Sequence, residues 1–192
     1  MATTKRILVA ITGASGVAYG VRLLEVLAGA GPAFAVLSDG AKKVLEHEGS
    51  MGPSLEEVLA RHRERITLYE DADVAAGPSS GSFPIDGMAV CPCSMDTLAA
   101  IASGAARTLT QRAAHVTLKE GRKLVLVPRE TPLNVIIIEN LLRVARAGAT
   151  VLPAAPAFYH KPRTIADQID FIVGKTLDQF GIDHDLFRRW AT

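Results

Sequence analysis

The sequence predicts an α/β fold: a single domain built on a doubly wound parallel sheet, with helices on both faces. Two observations carry that expectation. Short, very apolar runs alternate along the chain with longer segments of helical periodicity, the order that builds parallel strands joined by crossover helices. The 192 residues are also 48% hydrophobic but only 5% aromatic, an aliphatic composition sized for one core.

Each element follows from local signals. Ile7–Ile11 reads as the first strand, and Val17–Ala30, apolar at Val17, Leu23, Leu24 and Leu27, as the amphipathic helix after it. Pro32 opens a second strand, Ala33–Leu37, which ends at Ser38-Asp39-Gly40. Ala41–Glu48 is helical up to the break at Gly49, Gly52 and Pro53, and Leu55–Arg65 is a charged helix with one exposed face. Ile66–Tyr69 is a short strand, and the Gly77–Pro84 stretch is a loop too short to link domains. Gly87–Cys91 resumes as a buried strand. Met95–Ala102 and Thr110–Lys119 are helices, Lys123–Pro128 is a strand, Leu133–Ala147 a helix and Thr150–Leu152 the last strand. Prolines 153, 156 and 162 mark an ordered connection to the helix Ile165–Phe180. Beyond it a tail of about residues 181–192, which carries Trp190, packs on the domain or on a neighbouring subunit.

Several function classes drop out. The net charge of +1 gives no long-range attraction to nucleic acid or an anionic membrane. No apolar run approaches the ~20 residues a membrane helix needs. The start enters a strand without a signal-peptide core, which makes the expected location cytoplasmic. Cys91 and Cys93, two apart on an extended segment, are expected to point to one side as reduced, buried thiols. Neither they nor the five His residues stand at metal-site spacing, so no metal is expected.

In a doubly wound sheet ligands bind at the strands' carboxyl ends, near the switch point. Ser15, Ser38, Ser94 and Arg129 each follow a strand closely, and together they say more than any one does. The Thr12–Gly20 stretch is a small-residue turn into a helix, fit for a phosphate or flavin contact, though it is not the full G-x-G-x-x-G pattern and reads equally as a tight turn. Ser94 and Thr97 open a helix, either as a plain cap or as a phosphate cradle. Arg129 and Glu130, pinned between Pro128 and Pro132, suit an anion and a proton respectively, or else form a structural ion pair. Arg112 and Lys119 share a helix face, ordinarily a solvated one. Tyr159 follows the last strand, where a phenol commonly packs on the core with its hydroxyl at the surface.

Taken together, Gly13-Ala14-Ser15-Gly16, Ser80-Gly81-Ser82-Phe83, Pro92-Cys93-Ser94, Arg112-Ala113-Ala114, Leu118-Lys119-Glu120, Pro128-Arg129-Glu130-Thr131-Pro132-Leu133 and Pro156-Ala157-Phe158-Tyr159 resemble the UbiX/Pad1 family of flavin prenyltransferases, in register from about Arg6 to Trp190. The resemblance implies a Rossmann- or flavodoxin-like fold, assembled as a homododecamer, that binds reduced FMN without metal. It implies transfer of a dimethylallyl group from dimethylallyl monophosphate to N5 and C6 of the flavin, with the prenylated FMN passing to a UbiD-type decarboxylase. Position by position, Gly13, Ala14, Ser15, Ser38, Ser94, Met95, Asp96, Thr97 and Arg129 correspond to FMN contacts. Lys119, Arg129, Tyr159 and Lys175 correspond to the holders of the prenyl phosphate, Arg112 lies in the matching basic motif, and Trp190 matches an aromatic that closes the site. Ser15, Glu48 and Glu130 correspond to the proton-handling, catalytic set.

The chain departs from the family pattern at Arg107-Thr108, where an acidic residue or Asn is common, at His115 for Asp, at Gly121 for Arg, and at Ile136-Ile137-Ile138, where a His is common. None of these is an assigned site residue; subunit contacts and the pocket entrance are what they put in doubt. Two rivals remain. One is a flavin-binding carrier or accessory subunit of an aromatic-acid decarboxylase. The other is a cysteine-type flavin decarboxylase, disfavoured by Asp96 where that class has Asn and by the lack of a matching His.

Overall fold

The computed structural model describes residues 5–49 and 51–190; the last two residues of the expected tail lie outside it. Its elements are β1 (Ile7–Ile11), α1 (Val17–Ala30), β2 (Ala33–Leu37), α2 (Asp39–Glu48), α3 (Leu55–Arg61), β3 (Ile66–Glu70), β4 (Gly87–Cys93), α4 (Met95–Ser103), α5 (Leu109–Lys119), β5 (Lys123–Pro128), α6 (Val135–Arg146), β6 (Thr150–Val151) and α7 (Ile165–Phe180). The six strands form one sheet in the order β3-β2-β1-β4-β5-β6, and every pairing is parallel. From β1 the chain winds outward to β3, then returns to lay β4 on the other side of β1. This is the Rossmann strand order, with its switch point between β1 and β4.

Apolar side chains fill both faces, which is why the strands read as unbroken hydrophobic runs. Ile7, Val9, Ile11, Ala35, Val125 and Val127 pack with α1, α3 and α7. Leu8, Ala10, Val36, Val90, Leu124 and Leu126 pack with α4 and α5 on the other face. On the first face Arg22 of α1 reaches Asp170 of α7 and Glu25 at 2.8 Å each, and Glu25 also pairs with Arg61 of α3. Asp170 and Glu25 hold the Arg22 guanidinium above its ordinary pKa, the Asp170 hydrogen bond being the largest cause. A polar clamp thus joins three helices at the margin of the core.

Several boundaries differ from expectation, each for a local reason. Helix α2 starts at Asp39 because the Ser38 hydroxyl caps it, accepting from the Ala41 amide at 3.1 Å. Helix α3 stops at Arg61; Arg65 turns away to donate to the Ala28 and Gly29 carbonyls at the end of α1, where a cation is favoured. Asn134 caps α6, so that helix begins at Val135. The Gly77–Ser79 stretch of the expected loop forms one 3-10 turn.

The cysteines correct a sequence expectation. Strand β4 runs on through Pro92 to Cys93, with a register shift against β5 between Val90 and Cys93. That irregularity breaks the two-residue alternation, so Cys91 packs on the α1 face and Cys93 on the α4 face. Both thiols are free and fully buried, and burial pushes Cys91 up and Cys93 up to about 12.

Candidate functional site

Strands β1, β2, β4 and β5 all end on one side of the molecule, and their following residues are stitched together there. Thr12, only 1% exposed, is the central knot. Its hydroxyl donates to the Pro92 carbonyl and accepts the Ser94 amide, each at 2.8 Å. The Ser38 amide donates to the Ile11 carbonyl at 3.1 Å, and the Arg129 amide to the Cys93 carbonyl at 3.4 Å. The Arg129 guanidinium then crosses the switch point, its Nε donating to the Ser15 carbonyl at 3.3 Å. Thus Ser15, Ser38, Ser94 and Arg129 converge as expected.

The turn after β1 packs closely on the turn after β2. A Cβ on Gly13 would stand 2.9 Å from the Gly40 backbone, so the β1–α1 and β2–α2 turns touch main chain to main chain. Gly16 caps α1 with φ 91°, a left-handed conformation that leaves the helix N-terminus open. The Glu48 carboxylate sits on that terminus, accepting the Gly16 amide at 2.9 Å and 3.2 Å. An anion is already placed where the helix dipole favours one.

A second helix start faces the same region. Ser94 caps α4, its hydroxyl accepting the Thr97 amide at 3.3 Å and donating to the Thr97 hydroxyl at 3.0 Å. The cap reading of Ser94 is thereby realised. Met95 is half-buried, Asp96 is exposed in the first turn and Thr97 is buried. Glu130 is exposed beyond β5, with its carboxylate on the Thr131 amide at 2.9 Å. Among the described residues Arg129 and Glu130 form no ion pair, which leaves both heads to other partners.

Tyr19, which sequence reasoning passed over, belongs to this group. Its ring packs on Gly16, close enough that a Cβ there would stand 2.8 Å from it. Burial, with Cys91 and Glu48 nearby, raises the phenol's pKa, against a lowering by Arg129. Tyr19 thus feels both the Glu48 carboxylate and the Arg129 guanidinium. Its signal in the sequence was the spacing from Gly16, three residues on and hence over the helix start.

The remaining assigned residues lie elsewhere. The Arg112 Nε donates to the Ser79 carbonyl at 3.1 Å, and Lys119 pairs with Glu120 beside Gly81. Lys119 ends α5 just before β5 begins, whereas Arg129 follows the end of β5. The six residues of that strand separate them by about 20 Å. A third group forms around α7: Tyr159 lies edge-on to Trp190 with centroids 5.4 Å apart, and Lys175 donates to Asp178 at 3.4 Å.

A cavity of about 650 Å³ opens between α1, the α2–α3 connection and α7, lined by Val17, Val21, Leu45, Met51 and Ile169 among others. It lies behind Glu48 on the helical face, and Ser15, Ser94 and Arg129 are not in its wall. Among the described residues no group of three or more His, Cys, Asp or Glu is placed to hold a metal. No helix among the described residues is long and apolar enough to cross a membrane.

Comparison with known proteins shows the family and the fold. The family model described as Flavoprotein matches residues 1–177. The flavin prenyltransferase UbiX of Methanothermobacter thermautotrophicus is 48% identical over 192 residues, covering 100% of this chain and 98% of the relative. A UbiX structure in complex with FMN and dimethylallyl pyrophosphate superposes with a TM-score of 0.89 at 44% identity, covering 98% of each chain. A dodecameric FMN-dependent UbiX-like decarboxylase from Escherichia coli O157:H7 gives 0.89 at 46% identity, over 97% of this chain and 100% of that one.

Proposed function

The chain belongs to the UbiX family of flavin prenyltransferases, and from that premise we propose that it joins a dimethylallyl group from dimethylallyl monophosphate to reduced FMN. The observation that carries the reading is the convergence of Ser15, Glu48, Ser94, Thr97 and Arg129 on the switch point, with the Tyr19 ring packed against Gly16 beside them. FMN fits what is there. The start of α4, on the same side as the β1–α1 turn, offers amides and two hydroxyls to a phosphate. Gly13, Ala14, Ser15, Ser38, Ser94, Met95, Asp96, Thr97 and Arg129 would hold the cofactor. When bound, reduced FMN supplies the nucleophilic N5 and C6 positions.

The chain's own residues handle charge and protons. Breaking the allylic C–O bond leaves the electron pair on phosphate, and Arg129 lies at the strand ends to stabilise that charge. Glu48, on the α1 terminus, accepts a proton with Ser15 alongside, and Glu130 exchanges one with the departing phosphate. Tyr159, Lys175 and Trp190 form the donor-binding end. Lys119 and Arg112, at the far edge of the sheet, reach a site only from a neighbouring copy. Exposed Leu133, Val135, Ile136 and Ile138 at the start of α6 supply an apolar face for such assembly, which we take to be a dodecamer. A cytoplasmic location and delivery of the product to a UbiD-type decarboxylase complete the proposal.

Anaerobic incubation with reduced FMN and dimethylallyl monophosphate, followed by mass spectrometry of the extracted flavin, tests it. A flavin heavier by one prenyl unit is expected. Unchanged flavin, tightly bound beside intact prenyl phosphate, would overturn the transferase and favour a carrier.

A further inference from the structure

The chain beyond α7 is clasped by one carboxylate. His184, with 3% of its side chain exposed, places Nε2 at 3.3 Å from Oδ1 of Asp178, while its Nδ1 accepts the Leu186 amide at 3.3 Å. With Nδ1 accepting, the N–H of the ring is on Nε2, facing the carboxylate. Arg189 grips the same group from the tail, at 2.9 Å to Oδ1 and 3.4 Å to Oδ2, with its guanidinium 5.7 Å from the Phe187 ring centre. Lys175, one turn earlier on α7, donates to Oδ2 at 3.4 Å.

The clasp also has a seat. A Cβ on Gly174 would stand 2.5 Å from His184 and 2.6 Å from Phe187, so both side chains lie against α7 only because that position has no side chain. Phe187 in turn packs on Phe171 with centroids 4.8 Å apart, and Phe171 meets Tyr159 at 5.8 Å. The segment so fixed ends with Trp190, edge-on to Tyr159.

We propose that Asp178, seated over Gly174, is a positioning residue for the prenyl-donor end of the site, holding Trp190 on Tyr159 and aligning Lys175. The proposal rests on the reading of Tyr159, Lys175 and Trp190 as donor-binding groups. Residues 181–190 form no helix or strand of their own, so what fixes them must come from contacts with the rest of the domain. Three donors on one carboxylate, two of them from the tail, hold that segment in a fixed approach. Because the clasp is built from α7 and the tail, it governs donor affinity and leaves the flavin contacts on β1, β2, β4 and β5 untouched.

Asp178→Asn keeps the shape and removes the charge, while Gly174→Ala attacks the seat by bulk alone. Trp190 is the only tryptophan, so its fluorescence reports on the tail directly in the purified full-length protein. Trp190 is 74% exposed even with the clasp intact, so its mobility rather than its accessibility is the readout. In both variants we expect the steady-state anisotropy of Trp190 to fall and KM for dimethylallyl monophosphate to rise about tenfold, the loss of one hydrogen bond to a charged group. The value of kcat and the Kd for FMN should stay within about twofold. Unchanged anisotropy and KM in Asp178→Asn would overturn the proposal. So would FMN affinity falling in step with donor affinity, since that marks a general support of the fold. Anisotropy needs no turnover: if the parent protein makes no prenylated flavin, the functional reading fails, while the tail's response still decides whether the clasp exists.

Discussion

Replacing Thr12 by Val tests the central knot. The two side chains have nearly the same shape, and at 1% exposure a more apolar residue ought to be neutral or stabilising if packing were all that mattered. The hydroxyl's two bonds say otherwise. Without it the Ser94 amide loses its 2.8 Å acceptor, and the Pro92 carbonyl keeps only the long 3.3 Å bond from the Thr12 amide. An orphaned buried donor costs about 1–3 kcal/mol and the lost hydroxyl bond about 1 kcal/mol. The extra buried methyl returns about 0.8 kcal/mol, for a net loss of about 1–3 kcal/mol. Thr12→Ser keeps both bonds and loses one methyl, about 1 kcal/mol. Equilibrium urea unfolding separates the two. With a slope of about 2 kcal/mol/M, a loss of about 2 kcal/mol for Val moves the midpoint down about 1 M, twice the shift for Ser. Flavin fluorescence titration should show weaker FMN binding for Val alone, because the start of α4 is no longer tied to β1. A Val variant as stable as the parent would refute the reasoning.

Glu48→Gln retains a hydrogen bond to Gly16 but loses the charge on the α1 terminus, so stability should fall by only about 0.3–1 kcal/mol while prenylation slows about 10²–10⁴-fold, read by single-turnover kinetics. Cys91 and Cys93 are buried with raised pKa values, so a thiol reagent should label neither in the native protein and both after unfolding; rapid native labelling would contradict the burial. Burial works to raise the Asp178 carboxyl, but Arg189, with His184 and Lys175, outweighs it and holds the group below 3.8. A depressed carboxylate contributes stability above its unfolded pKa and loses it as pH falls through the folded one, so Trp190 anisotropy should hold at about pH 5 and drop only under more acid conditions. Lys119→Ala and Tyr159→Phe subunits, each inactive alone, should regain activity when reassembled together if Lys119 serves a neighbour's site; strictly additive inactivity would place it elsewhere.

Punctuation made much of the fold legible. Helices Val17–Ala30 and Ile165–Phe180 and strands Ile7–Ile11, Ala33–Leu37 and Lys123–Pro128 stand where the sequence placed them, because Gly, Pro or a capping hydroxyl closes each. The strand expected over Gly87–Cys91 instead carries Pro92 and Cys93 inside β4, and the irregular register there sends Cys91 and Cys93 to opposite faces. At the site, residues directly following strands were readable, since parallel strands must end together. Lys119 and Tyr159 were not placeable this way, because helices and long connections carry the chain back across the sheet. Thr12 hid as a small residue at a strand's end, and its role appears only once β4 lies beside β1.

The sheet's two margins have a consequence for how copies of the chain meet. At one margin β6 is two residues long, too short to template a further strand. At the other, β3 ends at Glu70, whose carboxylate is held by Lys42 at 3.1 Å, and charge at an edge discourages a neighbouring strand from joining. Growth by strand addition is therefore disfavoured at both margins. Association is left to side-chain packing on helical faces, where shape can close a shell of finite size and a backbone ladder would extend indefinitely.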